Sequence, residues 1–445
     1  MTGAGTTPGP GRGPSFGQVV AEAARAGELV VQPRMGFATP AAMRSGLVAV
    51  HGARARTVGT LTLDSYTRVG DLDEARRAVR TGEELNGYPI LAHDADTTRR
   101  LRHGLGDFAV QVRHGSALPL DIITGLLDAG LDATEGGPVS YCLPYGRTPL
   151  SRSVEQWARA CERLADGSPT AHLETFGGCL LGQLCPPSLL VALSVLEGMF
   201  FRQHGLRDIS LSYAQQTDFA QDAAAVAALR RLADEHLGDV RHHIVLYTYM
   251  GVFPRTEEGA LALLRDSARL AVRTGAERLL VKTPAEAHRI PTVRDNVRSL
   301  EEAARAARQA RAEGLHLLGP APDDGVLEEA RALVEAVLEL GTDLGRALAD
   351  AFARGLLDVP YCLHADNAQR ARAVLGDDGR LHWQATGAMP IRPSATAGRA
   401  RPRADGLLGM LAHVQTVYDS EALDWTRDDA TGSELLPPPD ARSAL

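Results

Sequence analysis

Residues 222–284 read DAAAVAALRRLADEHLGDVRHHIVLYTYMGVFPRTEEGALALLRDSARLAVRTGAERLLVKTP. Two Ala/Leu/Arg-rich stretches with helical spacing, 222–236 and 258–274, alternate here with two apolar runs, HHIVLYTYMG (242–251) and RLLVKTP (278–284). Strand followed by helix followed by strand argues for parallel pairing, because the helix carries the chain back to start the next strand. The same unit recurs upstream. LVVQPR (29–34), TLTLDSYT (60–67), PILAHD (89–94), FAVQVRHG (108–115), DATEGG (132–137), AHLETFGG (171–178) and DISLSYAQ (208–215) are strand-like runs with helical stretches between them. Nine candidates over about 255 residues are too many for a small open sheet. They suit an α/β fold of the (β/α)8 TIM-barrel type, with PILAHD as the run left outside the barrel.

Around that core the texture changes. Residues 1–28 begin MTGAGTTPGPGRGPSFG, a Gly/Pro/Thr-rich stretch that reads as a flexible tail with no signal-peptide core. Residues 29–310 are read as the barrel. Residues 311–445 are read as a helical segment followed, from about 375, by an irregular extension rich in Gly, Pro and Asp. A net charge of −8 gives no reason to expect nucleic acid or an anionic membrane as partner. No apolar run approaches the ~18 residues of a membrane span. Five cysteines without CxxC spacing fit a reduced cytoplasm and argue against a Cys-type zinc site. His242 and His243 are adjacent, which is poor geometry for joint ligation, and no metal site is expected.

Polar residues stand at the C-terminal ends of the strand-like runs: Arg34, Arg68, Arg113, Glu135 and Lys282. In a barrel those ends converge on one face, where active sites are built. Lys282 is the only lysine among 47 Lys plus Arg. Arginine is a planar fork that is always charged, whereas lysine is a thin ammonium whose pKa moves on burial, so a site that needs one narrow donor cannot use arginine. Three converging arginines repel one another unless something anionic sits between them. Their forks match carboxylates with paired hydrogen bonds. Three forks could hold a small dicarboxylate, Glu135 could take an ammonium group, and Tyr141 and Tyr145 in EGGPVSYCLPY could donate hydroxyls.

The motifs QPRMG (32–36), LDSYTR (63–68), LNGYP (85–89), VRHG (112–115), TEGGPVSYCLPY (134–145), ETFGG (174–178), CPPS (185–188), MGVFP (250–254) and VKTPAEAHRIPT (281–292) occur in one order. In that order and spacing the chain resembles the large, epsilon subunit of methylaspartate mutase (glutamate mutase), well over about 28–300 and more weakly to about 390. The resemblance implies a (β/α)8 barrel and adenosylcobalamin as cofactor. It also implies the radical rearrangement of L-glutamate to (2S,3S)-3-methylaspartate. By the same resemblance Arg34, Arg68 and Arg113 clamp the substrate carboxylates with His114 beside them. Glu135 binds the amino group, and Tyr141 and Tyr145 are further substrate contacts. Gly36, Asn86, Pro144, Phe176, Phe253, Lys282, Glu286 and Ile290 line the cofactor side, with Lys282 and Glu286 at the adenosyl ribose. Glu135, Arg113 and Lys282 form the catalytic set.

No DxHxxG loop, the cobalt-ligating histidine motif of cobalamin carriers, occurs in the chain. The resemblance therefore implies a separate small subunit carrying the cobalamin, with a homodimer of the large subunit inside a heterotetramer. Two departures stand out. Tyr247 and Tyr249 replace a His and a Trp before the MGVFP motif, and DVPYCLHADN (358–367) replaces a segment that carries a lysine in the family. Both are expected at the rim or partner interface. Two other readings compete: a Schiff-base barrel lyase using Lys282 as nucleophile, which the nearby Glu286 disfavours by stabilising the ammonium, and a non-catalytic mutase-like partner subunit.

Overall fold

The computed structural model describes residues 14–144, 146–180, 184–319, 324–395 and 404–432. Eight parallel strands form its centre: β1 (Val30–Pro33), β2 (Gly59–Thr62), β3 (Val110–Arg113), β4 (Ala133–Gly136), β5 (His172–Thr175), β6 (Asp208–Ala214), β7 (Arg241–Tyr247) and β8 (Arg278–Val281). Their order is β1-β8-β7-β6-β5-β4-β3-β2. A short bridge between Val31 and Thr57 joins β1 to the approach of β2 and closes the ring. There the Val31 N–H donates to the Arg56 carbonyl at 2.9 Å. The helices between strands lie outside, so the fold is a (β/α)8 TIM barrel. PILAHD forms no strand of the barrel; its neighbour Tyr88 makes only an isolated bridge to Leu63.

Alternation along each strand divides the labour. Val31, Leu61, Val112, Leu173, Leu211 and Leu279 belong to the apolar cluster beneath the helices. The alternate residues fill the barrel with a polar network rather than with the branched apolar layers common in this fold. Gln32 donates from Nε2 to Thr60 Oγ1 (2.9 Å) and to Gln111 Oε1 (2.8 Å). Gln111 Nε2 donates to Glu174 Oε2 at 3.0 Å. Arg278, fully buried, pairs with Glu174 and Gln32 and donates to Ser210 Oγ at 3.0 Å. His172 lies 2.9 Å from both Ser210 Oγ and Asp208 Oδ1. A buried network is tolerable only when its members satisfy one another, and these do.

The stretch 1–28 differs from a tail in its second half. Phe16–Arg25 is a helix with a capping box, in which Ser15 Oγ accepts from the Gln18 N–H and the Gln18 side chain accepts from the Ser15 N–H. It packs Phe16, Val19, Val20 and Ala23 against Val30, Val58 and Ala133 at the N-terminal ends of the strands. The amphipathic spacing of FGQVVAEAAR, set behind a Ser cap, is the physical reason. Residues 1–13 lie outside the described residues.

The C-terminal part is more regular than its Gly/Pro content suggests. Helices Val326–Leu338 and Leu344–Arg354 share the main apolar cluster with the barrel helices. An antiparallel hairpin, β9 (Arg372–Leu375) with β10 (Leu381–Ala385), is tied down by Trp383, whose Nε1 donates to Ser188 Oγ at 3.1 Å. A final helix spans Ala404–Gly432. No helix among the described residues is long and apolar enough to cross a membrane.

Candidate functional site

The strand ends bring two groups of side chains to one face. The first gathers around Arg113, the last residue of β3. Its Nη1 lies 2.6 Å from Glu135 Oε2 on β4 and 3.7 Å from Glu174 Oε1 on β5. Nη1 also donates to the Tyr247 hydroxyl at 2.7 Å, and the guanidinium sits over the Tyr247 ring at 5.0 Å. The Tyr141 hydroxyl donates to Glu135 Oε1. The Tyr247 hydroxyl stands between Glu135 Oε2 and Glu174 Oε1, able to donate its one proton to either. All five residues are buried.

Electrostatics separate the two carboxylates. Burial raises the Glu135 carboxyl, with Arg113 opposing and Glu174 adding to the rise. Burial acts on Glu174 in the same direction, but Arg278 and Arg113 outweigh it and hold that carboxyl at about 2. Glu174 is thus the settled anion, already matched by Arg278, and Glu135 is the carboxylate whose charge depends on its surroundings. The anionic counterpart that Arg113 requires comes, in this structure, from the protein itself.

His114 borders this group. Its Nδ1 accepts the Ser116 N–H at 3.0 Å, which puts the proton of the neutral ring on Nε2. Burial first, then the charges of Arg68 and Arg113, push it down to about 3. It stacks on Trp157 at 5.7 Å and meets Tyr141 edge-on at 5.2 Å. Phe176, expected on the cofactor side, instead packs against Tyr141 (5.0 Å) and Tyr247 (5.7 Å) and so belongs to the Arg113 group.

The second group gathers around Lys282, which follows β8. Its Nζ lies 3.6 Å from Glu286 Oε2 and 4.4 Å above the Phe253 ring. Arg34, read as a substrate clamp, reaches the same carboxylate, with Nη1 at 3.2 Å from Glu286 Oε2. Burial lowers the Lys282 pKa, and Glu286 offsets only part of that. Beside them opens a cavity of about 260 Å³ lined by Arg34, Gly36, Thr62, Arg68, Asn86, Glu286 and Ile290, among others. Two buried acceptors there, Thr62 Oγ1 and Glu286 Oε1, have no hydrogen-bond partner among the described residues. Gly36 admits this closeness, since a Cβ would stand 2.3 Å from the Thr62 carbonyl oxygen.

Arg68 connects the two groups. It lies on the short helix Ser65–Val69, started by Asp64 accepting the Thr67 N–H at 3.0 Å. Its side chain lines the cavity and passes close to Gly115. Pro144 is half-buried on the loop after β4, and Tyr145 lies outside the described residues.

Sequence reading overlooked Glu174 and Arg278 and misplaced Tyr247. Glu174 sat in the ETFGG motif and Arg278 in a strand-like run; a charge inside an otherwise apolar strand was the available signal. Tyr247 is not at the rim but fully buried at the centre of the first group. Tyr249 is buried too, packed with Phe253, Ala260 and Leu263. The segment 358–367 does reach the rim: His364 Nε2 lies 3.0 Å from the Thr148 carbonyl, and Asp366 Oδ2 accepts the Leu150 N–H at 2.7 Å. No cluster of potential metal ligands occurs among the described residues.

Residues 12–402 match the family model described as Methylaspartate mutase E chain (MutE). The chain is 32% identical over 342 residues to the glutamate mutase epsilon subunit of Halobacterium salinarum, covering 74% of this chain and 71% of that protein. To the glutamate mutase epsilon subunit of Escherichia coli O157:H7 it is 31% identical over 356 residues, covering 74% and 72%.

Proposed function

Because the chain belongs to the methylaspartate mutase E chain family, we propose that it is the catalytic subunit of an adenosylcobalamin-dependent isomerase interconverting L-glutamate and (2S,3S)-3-methylaspartate. The observation that carries this reading is the buried Arg113–Glu135 pair at adjoining strand ends. An amino acid is itself an ion pair. Its α-carboxylate can take over the Arg113 guanidinium while its ammonium takes Glu135, so the ligand divides one internal pair into two external ones. Arg68 and Arg34, which both line the cavity, suit the second carboxylate of a diacid.

The second group fits the cofactor's adenosyl end. Thr62 Oγ1 and Glu286 Oε1 are unpartnered acceptors able to take hydroxyl donors, Lys282 is a thin cation beside them, and Gly36 and Asn86 shape the wall. When bound, adenosylcobalamin supplies the radical by homolysis of its cobalt–carbon bond. The chain's own residues bind, orient and shield. Holding both carboxylates fixes the carbon that loses hydrogen and keeps the rearranging parts together, a form of proximity worth ~7–11 kcal/mol in favourable cases. Burial of Arg113, Glu135, Tyr141 and Tyr247 excludes water from the reacting atoms.

The cobalt ligand is assigned to a small partner subunit with a DxHxxG loop, in a heterotetramer built on a homodimer of this chain, in the cytoplasm. Exposed apolar side chains at the strand-end face support a partner there: Val69, Leu118, Val252, Ile290, Tyr361 and Leu363. The test is reconstitution. Chain, small subunit and adenosylcobalamin together should convert glutamate to methylaspartate, and the chain with cofactor alone should not. Turnover by the chain alone, or none with the full set, overturns the reading. The burial-lowered pKa of Lys282 favours a Schiff-base lyase as second reading; borohydride trapping of a carbonyl substrate on Lys282 would establish it.

A further inference from the structure

The helix Ala404–Gly432 lies beyond residues 12–402, the stretch matched by the family. It nevertheless reaches the loop after β7 that carries Phe253. Asp419 makes the principal contact. Its Oδ2 accepts the Arg255 N–H at 3.0 Å, and its Oδ1 accepts the Thr256 N–H at 2.9 Å and the Thr256 hydroxyl at 2.6 Å. Thr256 is the cap of the helix Glu257–Thr274, its Oγ1 accepting the Gly259 N–H at 3.1 Å. Asp419 therefore places a carboxylate at a helix N-terminus, where the aligned peptide dipoles favour negative charge.

Gln415, one turn earlier, donates from Nε2 to the Phe253 carbonyl at 2.9 Å. Val414 is buried in a cluster with Tyr249, Phe253, Ala260 and Leu263. The Tyr418 hydroxyl donates to Asp266 Oδ2 at 2.8 Å and anchors the helix lower down. The approach is close enough that a Cβ on Gly259 would stand 2.8 Å from the Tyr418 carbonyl oxygen. Contact thus runs from the C-terminal helix to the backbone at 253–256, to the Phe253 ring, and to Lys282 Nζ above that ring.

We propose that the C-terminal helix is a brace for the 250–256 loop, and that Asp419 and Gln415 are positioning residues that hold Phe253 against Lys282. The inference rests on the reading of Lys282 as a cofactor-side residue. Neither Asp419 nor Gln415 touches the cavity; each acts through backbone it holds in place.

The test uses the full chain with Asp419→Ala plus Gln415→Ala, and Asp419→Asn as the milder variant that keeps an acceptor oxygen. Hydrogen exchange needs no cofactor. The Arg255 and Thr256 amides should exchange about ten- to a hundredfold faster in the double variant, the scale of a lost charge-assisted hydrogen bond, with Asp419→Asn intermediate. Unchanged exchange at both amides overturns the brace. The second arm is adenosylcobalamin affinity of the complex with its small subunit, with Lys282→Ala as reference. The double variant should weaken cofactor binding in the same sense as Lys282→Ala and leave the KM for glutamate unaltered. Wild-type cofactor affinity in the double variant, where Lys282→Ala weakens it, overturns the positioning role. If Lys282→Ala itself has no effect on cofactor binding, the reading of Lys282 fails, and with it the positioning role, while the exchange data still decide the brace.

Discussion

Arg113 and Glu135 pair at 2.6 Å across adjoining strand ends, with side chains 6% and 2% exposed. Neither charge could stay buried without the other, because a lone charge taken out of water must neutralise or displace the structure around it. On the proposed reading, a zwitterionic amino acid would exchange this internal pair for two external ones.

Arg113→Lys keeps the charge and loses the planar fork, which is not a conservative change where the guanidinium also lies over the Tyr247 ring. Losing a charge-assisted hydrogen bond at a buried anion removes ~1.5–3 kcal/mol, so kcat/KM for glutamate should fall roughly ten- to a hundredfold in steady-state assays. Unaltered glutamate kinetics would remove Arg113 from the site.

Glu174→Gln should act on stability more than on recognition. Arg278 would keep its place inside the barrel without its anion. Breaking a buried pair by removing one partner is destabilising by ~3–5 kcal/mol, and urea unfolding should show a loss of that size. An unfolding midpoint equal to wild type would mean that Gln32 and Ser210 alone satisfy Arg278.

His114 bears on pH. Its folded pKa, about 3, lies below the ordinary 6.5, so the folded protein keeps the ring neutral where the unfolded chain protonates it. The stability linked to this difference is fully present above about 6.5 and is lost as pH falls from there toward 3. Unfolding free energy followed from pH 7 to 4 should therefore fall less in His114→Gln than in wild type. Identical pH slopes would show that the ring titrates normally in the fold.

Lys282→Arg tests why a single lysine persists. The guanidinium keeps the charge but replaces a compact ammonium, held 3.6 Å from Glu286 Oε2 and 4.4 Å above the Phe253 ring, with a planar fork on a different stem. Misplacement by ~1 Å can reduce rate about a hundredfold, so substrate-triggered loss of the cobalt–carbon chromophore in stopped flow should slow in Lys282→Arg as in Lys282→Ala. Glutamate binding should be affected less than homolysis. Wild-type homolysis rates in Lys282→Arg would mean that charge alone is needed there.

By itself the sequence determined the barrel and the face that matters. Short apolar runs separated by helical stretches are local signals, and the polar residues that end several of them say which end gathers function. That was enough for eight strands, and for Arg113, Glu135 and Lys282 at strand ends on one face. Tertiary structure alone decided how those residues divide. Arg34 falls to Glu286 and Lys282 rather than to Arg113, and Phe176 to Tyr141 rather than to Lys282, because side-chain direction at a strand end depends on tilt and neighbours distant in sequence. Glu174 and Arg278 could not be recognised as partners in a run of residues, since 104 positions separate them. Only closure of the ring brings β5 and β8 to face across the barrel, where two opposite charges, removed from water, must find each other.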